Sequence, residues 1–111
     1  MIIPVGIDVS KDKLDLYFPD RAEYRTISNC SQEIHQVFNQ LDSKRYKIIV
    51  EATGKYHRLC HRIAETYALE VTLVNPYQAR NFARAMNIQC KTDKLDAQVL
   101  SQYGDSDPPS I

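Results

Sequence analysis

The 111-residue chain has no excess charge of either sign: fourteen lysines and arginines stand against fourteen aspartates and glutamates. A global basic field of the kind that draws a protein onto nucleic acid is therefore excluded. Long hydrophobic runs are also missing. No stretch reaches the ~18 apolar residues of a membrane span, and Met1 is not followed by the basic region and apolar run of a secretory leader. Cysteine is sparse, at Cys30, Cys60 and Cys90 only. Three widely spaced thiols make no disulfide framework, which points to a reducing compartment. These absences predict a cytoplasmic protein with no membrane partner. What is present, 43% hydrophobic and 25% charged residues, suits the core and surface of a single globular domain. We place that domain at residues 1–104. The last residues, 105–111, rich in Ser, Asp and Pro, read as a linker or truncated tail.

Alternation sets the early elements. Val5, Ile7 and Val9 alternate with Gly6, Asp8 and Ser10, and Leu14, Leu16 and Phe18 alternate with Asp15 and Tyr17, predicting a hairpin across Lys11-Asp12-Lys13. Glu23 to Ser28 reads as a third strand. Ser31 is placed to cap a helix with Ile34, Val37, Phe38 and Leu41 on one stripe. Tyr46 to Ala52 has the near-continuous apolar character of a buried strand. Thr53-Gly54 turns into a second helix bearing Leu59, Ile63 and Tyr67, and Val71 to Val74 forms a fifth strand. Asn75 and Pro76 start a third helix whose Ala79, Phe82, Ala83 and Met86 face the core. Ile88 to Lys91 is a connector. Thr92 caps a fourth helix with Leu95, Val99 and Tyr103 inward. The order β-β-β-α-β-α-β-α-α predicts an α/β fold: an antiparallel meander followed by two parallel strands reached through right-handed crossovers. This is the order of the ribonuclease H-like fold, with a mixed five-stranded sheet.

Four acids stand where a carboxylate is costly or pointedly placed. Asp8 interrupts the first strand, Glu51 closes the fourth, and Asp93 and Asp96 open the last helix. Taken singly, each has an ordinary structural explanation, such as a strand-end acid or a first-turn acid favoured by the helix dipole. Taken together they form a set of hard oxygen ligands, with Asp8 and Glu51 near the carboxyl ends of parallel strands, where open α/β sheets gather their sites. Clustered carboxylates repel, and one or two Mg²⁺ ions (Mn²⁺ as a substitute) relieve that repulsion while leaving positions open for water and phosphate. The expected chemistry is action on a nucleic-acid phosphodiester.

The charge distribution adds to this. Between Glu51 and Lys94 stand seven cations, Lys55, Arg58, Arg62, Arg80, Arg84, Lys91 and Lys94, against four acids. Lys11, Lys13, Lys55, Arg58, Arg80, Arg84 and Lys94 are the candidate phosphate contacts, the alternative being a set of solvated helix faces. Tyr56 is a candidate base-stacking ring or a packing residue at a helix start. His57, Cys60 and His61 have the spacing of zinc ligands, but no second cluster completes a site. Ser10 has no histidine patterned beside it and is better read as a turn cap.

Four blocks together resemble the opening domain of the DEDD transposases, the Piv/MooV invertase-like insertion-sequence recombinases. They are Gly6-Ile7-Asp8-Val9-Ser10-Lys11-Asp12-Lys13-Leu14-Asp15, Glu51-Ala52-Thr53-Gly54-Lys55-Tyr56, Val74-Asn75-Pro76 with Phe82-Ala83, and Lys91-Thr92-Asp93-Lys94-Leu95-Asp96-Ala97. The resemblance runs from about residue 5 to 103. It implies a RuvC-like variant of the ribonuclease H fold and Asp8, Glu51, Asp93 and Asp96 as catalytic, Mg²⁺-binding acids. It also implies DNA as substrate, a structured guide RNA as partner, and homo-oligomers of the full-length protein. Members of that family carry a further C-terminal domain with a serine nucleophile, so this segment alone is expected to be inactive in strand exchange. The rivals are a stand-alone Mg²⁺-dependent junction nuclease, half of an actin-like ATPase, for which 111 residues are too few, and a non-catalytic module for nucleic-acid binding or dimerisation.

Overall fold

Period-two alternation is realised in β1 (Ile3–Val9), where Val5, Ile7 and Val9 are buried on one face of the sheet. The computed structural model describes residues 2–52, 54–86 and 96–105. β1 turns back into β2 (Lys13–Phe18), and β2 into β3 (Glu23–Ser28), both pairings antiparallel. The Ser10 hydroxyl and backbone N–H both reach the Lys13 carbonyl and close the first turn, as its reading as a turn cap requires. α1 (Ser31–Phe38) then carries the chain to β4 (Tyr46–Glu51), which lies parallel to β1. α2 (Arg58–Thr66) leads to β5 (Glu70–Val74), parallel to β4. α3 (Pro76–Ala85) and α4 (Ala97–Asp105) follow. The sheet order is β3-β2-β1-β4-β5. This is the expected element order, in a mixed five-stranded α/β sheet consistent with the ribonuclease H-like fold.

The sheet is covered on both faces. On one, Val5, Ile7, Leu14, Leu16, Ile48 and Val50 pack with Ile34, Val37 and Phe38 of α1 and Cys60, Ile63 and Ala64 of α2. On the other, Ile49 and Val74 pack with Ala79 and Ala83 of α3 and Leu100 and Tyr103 of α4. α4 lies against β1 so closely that both contact points need glycine. A Cβ on Gly6 would overlap the Ala97 carbonyl oxygen, and one on Gly104 would overlap Ile49 of β4 and crowd Pro4 of β1. The Ser101 hydroxyl donates to the Pro4 carbonyl at 2.7 Å. Ala97 over Gly6 and Ser101 over Pro4 show that α4 runs antiparallel to β1, its N-terminus above the carboxyl end of that strand.

Several local expectations are corrected. The N-cap of α1 is Cys30, not Ser31, and no side chain caps it; instead Glu33 accepts from the Ser28 backbone N–H. The last turn of α3 lifts Met86 away from the core, and it is 55% exposed. α4 begins at Ala97. The Asp96 carboxylate accepts from the Val99 N–H at 2.9 Å, and the Asp96 carbonyl takes the first helical bond from Leu100. α4 extends through Asp105. The connector 88–91, Thr92, Leu95 and the tail 106–111 lie outside the described residues. Asn75 caps α3 as expected, with Pro76 at its first position and a reciprocal contact to Gln78.

Candidate carboxylate site at the end of the sheet

The parallel register pairs Gly6 with Ile49 and Ile7 with Val50, so one further step sets Asp8 beside Glu51. Adjacent strands lie about 4.8 Å apart, and paired residues project from the same face. Ile49, two positions before Glu51, packs in the cluster that includes α4. Both acids therefore emerge at the carboxyl end of the central parallel pair, on the α4 face. Glu51 is 3% exposed and, with Ser101, is one of two buried polar side chains among the described residues. Asp8 is half-buried.

Two more acids border this pair. Asp15 of β2 is the direct cross-strand partner of Asp8, so the two carboxylates share a face. Asp15 accepts from the Thr26 hydroxyl at 2.6 Å. It was not among the expected site residues, although the hairpin spacing contained the signal: the turn that pairs Val9 with Leu14 also pairs Asp8 with Asp15. Asp96 stands at the start of α4, and its charge, after burial, helps push the Tyr24 phenol above its ordinary value; Tyr17 adds a smaller effect. Tyr24 in turn donates to Gln98 at 2.8 Å. Asp96 immediately precedes Ala97, whose carbonyl lies over Gly6, and its carboxylate faces the helix backbone as a cap. Asp93 lies outside the described residues. Among the described residues, no three histidine, cysteine or acidic side chains converge closely enough to hold a metal ion.

The expected phosphate contacts divide between two layers. Lys11, Lys55 and Arg58 line one groove together with Arg62, Asn29, Tyr56 and Leu59. Arg62 is a cation that the expected set omits, although it lies one helical turn from Arg58. Arg80 and Arg84 are exposed on α3, in the opposite layer, and Lys13 is exposed at the start of β2. Lys94 lies outside the described residues. The zinc spacing has no metal geometry behind it. Cys60 is fully buried, and burial pushes its thiol up to about 12, far from a thiolate ligand. His61 pairs with Glu65 at 3.1 Å. His57 is held below the usual imidazole range by burial, and then by Arg58 and His61.

No helix among the described residues is long and apolar enough to cross a membrane. Comparison with known proteins gives a consistent picture. The family model for transposases of the DEDD, IS110 type matches residues 5–110. The pilin gene-inverting proteins of Moraxella lacunata and Moraxella bovis are each 29% identical over 114 aligned positions, covering 96% of this chain. The chain spans 35% of the length of these relatives.

Proposed function

Because this chain belongs to the DEDD transposase family, we propose that it supplies the carboxylate half of a DNA recombinase's catalytic apparatus. The observation that carries this reading is the parallel register of β1 and β4, which pairs Ile7 with Val50 and, carried one step further, aligns Asp8 with Glu51. Their oxygen-only donor set fits a hard divalent cation, Mg²⁺ or Mn²⁺, which takes its remaining ligands from water and phosphate. When bound, such an ion neutralises charge on a phosphodiester and activates an attacking oxygen. Asp8 and Glu51 hold and orient it, with Asp93 and Asp96 completing the acidic set. The name of the Moraxella relatives denotes inversion of a gene, and the proposed reaction here is likewise DNA strand cleavage and exchange. In this reading residues 1–104 form a RuvC-like catalytic domain that acts in the cytoplasm. It works with a second domain carrying a serine nucleophile, with a guide RNA, and within a homo-oligomer. Lys13, Arg80, Arg84 and Lys94 contact the DNA backbone.

The test is made in the full-length recombinase. Asp8→Asn and Glu51→Gln, each of similar shape to the native residue, are expected to abolish strand exchange on supercoiled DNA bearing the element ends. Both should leave the circular dichroism spectrum native. Exchange at the native rate in either variant would overturn the reading.

A further inference from the structure

The groove beside α2 has a composition unlike that of the carboxylate site. Lys11 from the β1–β2 turn, Lys55 from the β4–α2 loop, and Arg58 and Arg62 from successive turns of α2 all border it, and none of its seven lining residues is acidic. All four cations are exposed, and none is in an ion pair among the described residues. In a chain of zero net charge, this is a local concentration of positive potential. The groove encloses about 300 Å³. Tyr56 stands at its edge, 40% exposed, which leaves part of the ring open to a ligand.

Asn29 fixes the shape of this groove. Its Nδ2 donates to the Ser10 carbonyl at 2.9 Å and to the Tyr56 carbonyl at 3.1 Å. One amide therefore ties the turn that carries Lys11 to the loop that carries Lys55 and Tyr56. The cations are held in a track instead of being scattered on independent loops. Leu59 packs against the α1–α2 side of the core, so the groove opens on that side, while Asp8 and Glu51 project toward α4. The two sites share an end of the sheet and occupy opposite faces.

We propose that this groove is a single-stranded nucleic-acid subsite, in which Lys11, Lys55, Arg58 and Arg62 hold successive phosphates and Tyr56 stacks on a base. A line of cations interleaved with one exposed ring is the combination that binds single strands without sequence readout, since every base offers a π-face. A duplex keeps its bases stacked on one another and offers Tyr56 none. The proposal shares the nucleic-acid reading above but needs no metal. Asn29 is a positioning residue for the track.

The test is fluorescence anisotropy in EDTA, with short labelled oligothymidylate, oligouridylate and a duplex of equal length as probes. Excluding metal separates this subsite from the carboxylate pair, so failure of either reading leaves the other standing. The native protein should bind single strands more tightly than duplex. Arg58→Glu with Arg62→Glu should weaken single-strand binding at least tenfold and flatten its salt dependence. Tyr56→Ala should weaken it several-fold with duplex binding unchanged, and Tyr56→Phe should restore it. All these positions are exposed, and native thermal melts will show that the variants fold. Preference for oligouridylate assigns the strand as RNA and preference for oligothymidylate assigns it as DNA; either supports the subsite. Single-strand binding unaffected by the double charge reversal, or equally lost for duplex and single strand in Tyr56→Ala, overturns it.

Discussion

Single residues decide how close α4 comes to the sheet, and thus whether Asp96 stands over the carboxyl end of β1. A methyl group on Gly6 would overlap the Ala97 backbone, which cannot yield without moving the helix. Gly6→Ala is expected to cost about 3 kcal/mol or more in denaturant unfolding. Gly54 is the contrast: its φ of 65° is left-handed, but nothing lies within 4 Å of an added Cβ. Gly54→Ala should therefore cost only about 1 kcal/mol, from backbone strain alone. Melts that ranked the two in the reverse order would show that α4 does not dock on β1 as described. At this scale the sequence was partly legible. Asp8 and Glu51 announced themselves by interrupting apolar runs. Asp15 did not, because an acid alternating with Leu14 and Leu16 looks like any outward-facing strand residue until the register sets it opposite Asp8.

Elements were the most legible level, since hydrophobic period and turn chemistry act locally. All five strands, the Asn75 start of α3 and the crossover order followed from the chain. Helix ends were harder, because several residues compete for each cap. Thr92, the expected cap of α4, lies outside the described residues, and Asp96 caps the helix that starts at Ala97. That dual position makes a separable prediction. Asp96→Ala should lose about 1 kcal/mol of stability, whereas Asp96→Asn, an equally good cap, should melt like the native chain. If the carboxylate also serves metal, both substitutions should impair strand exchange in the full-length recombinase. The end of α2 offers another test. Ala68 has φ 59°, with its N–H bonded to Glu65 and that of Leu69 bonded to Ala64, the two bonds of a Schellman turn. Ala68→Gly is expected to stabilise the domain by about 1 kcal/mol, read as a raised denaturant midpoint.

For the whole molecule, charge placement matters more than net charge. Balanced composition conceals an acidic set on the α4 face and a basic groove on the α2 side, a separation visible only once the sheet assigns each loop to a layer. Below neutral pH, two of the described groups make stability depend on pH. His57 is depressed below 6.5, so the folded state favours the neutral ring; its contribution is complete above 6.5 and is lost as pH falls through the lower folded value. Glu33, lowered first by the Ser28 backbone N–H, acts only below 4.5. Acidifying from pH 7 to 5 should lower the melting temperature slightly, on the order of 1 °C for so accessible a histidine, and His57→Gln should remove that dependence.

The central claim is that Asp8 and Glu51, distant in sequence and adjacent in the sheet, jointly hold a divalent cation. Titration of Mn²⁺ into the domain, followed by the loss of free-ion paramagnetic resonance signal, measures this directly. Native protein should bind Mn²⁺ saturably in competition with Mg²⁺, and both Asp8→Asn and Glu51→Gln should weaken that binding at least tenfold while keeping native melts. Binding of equal affinity in the native chain and both variants would contradict a shared site.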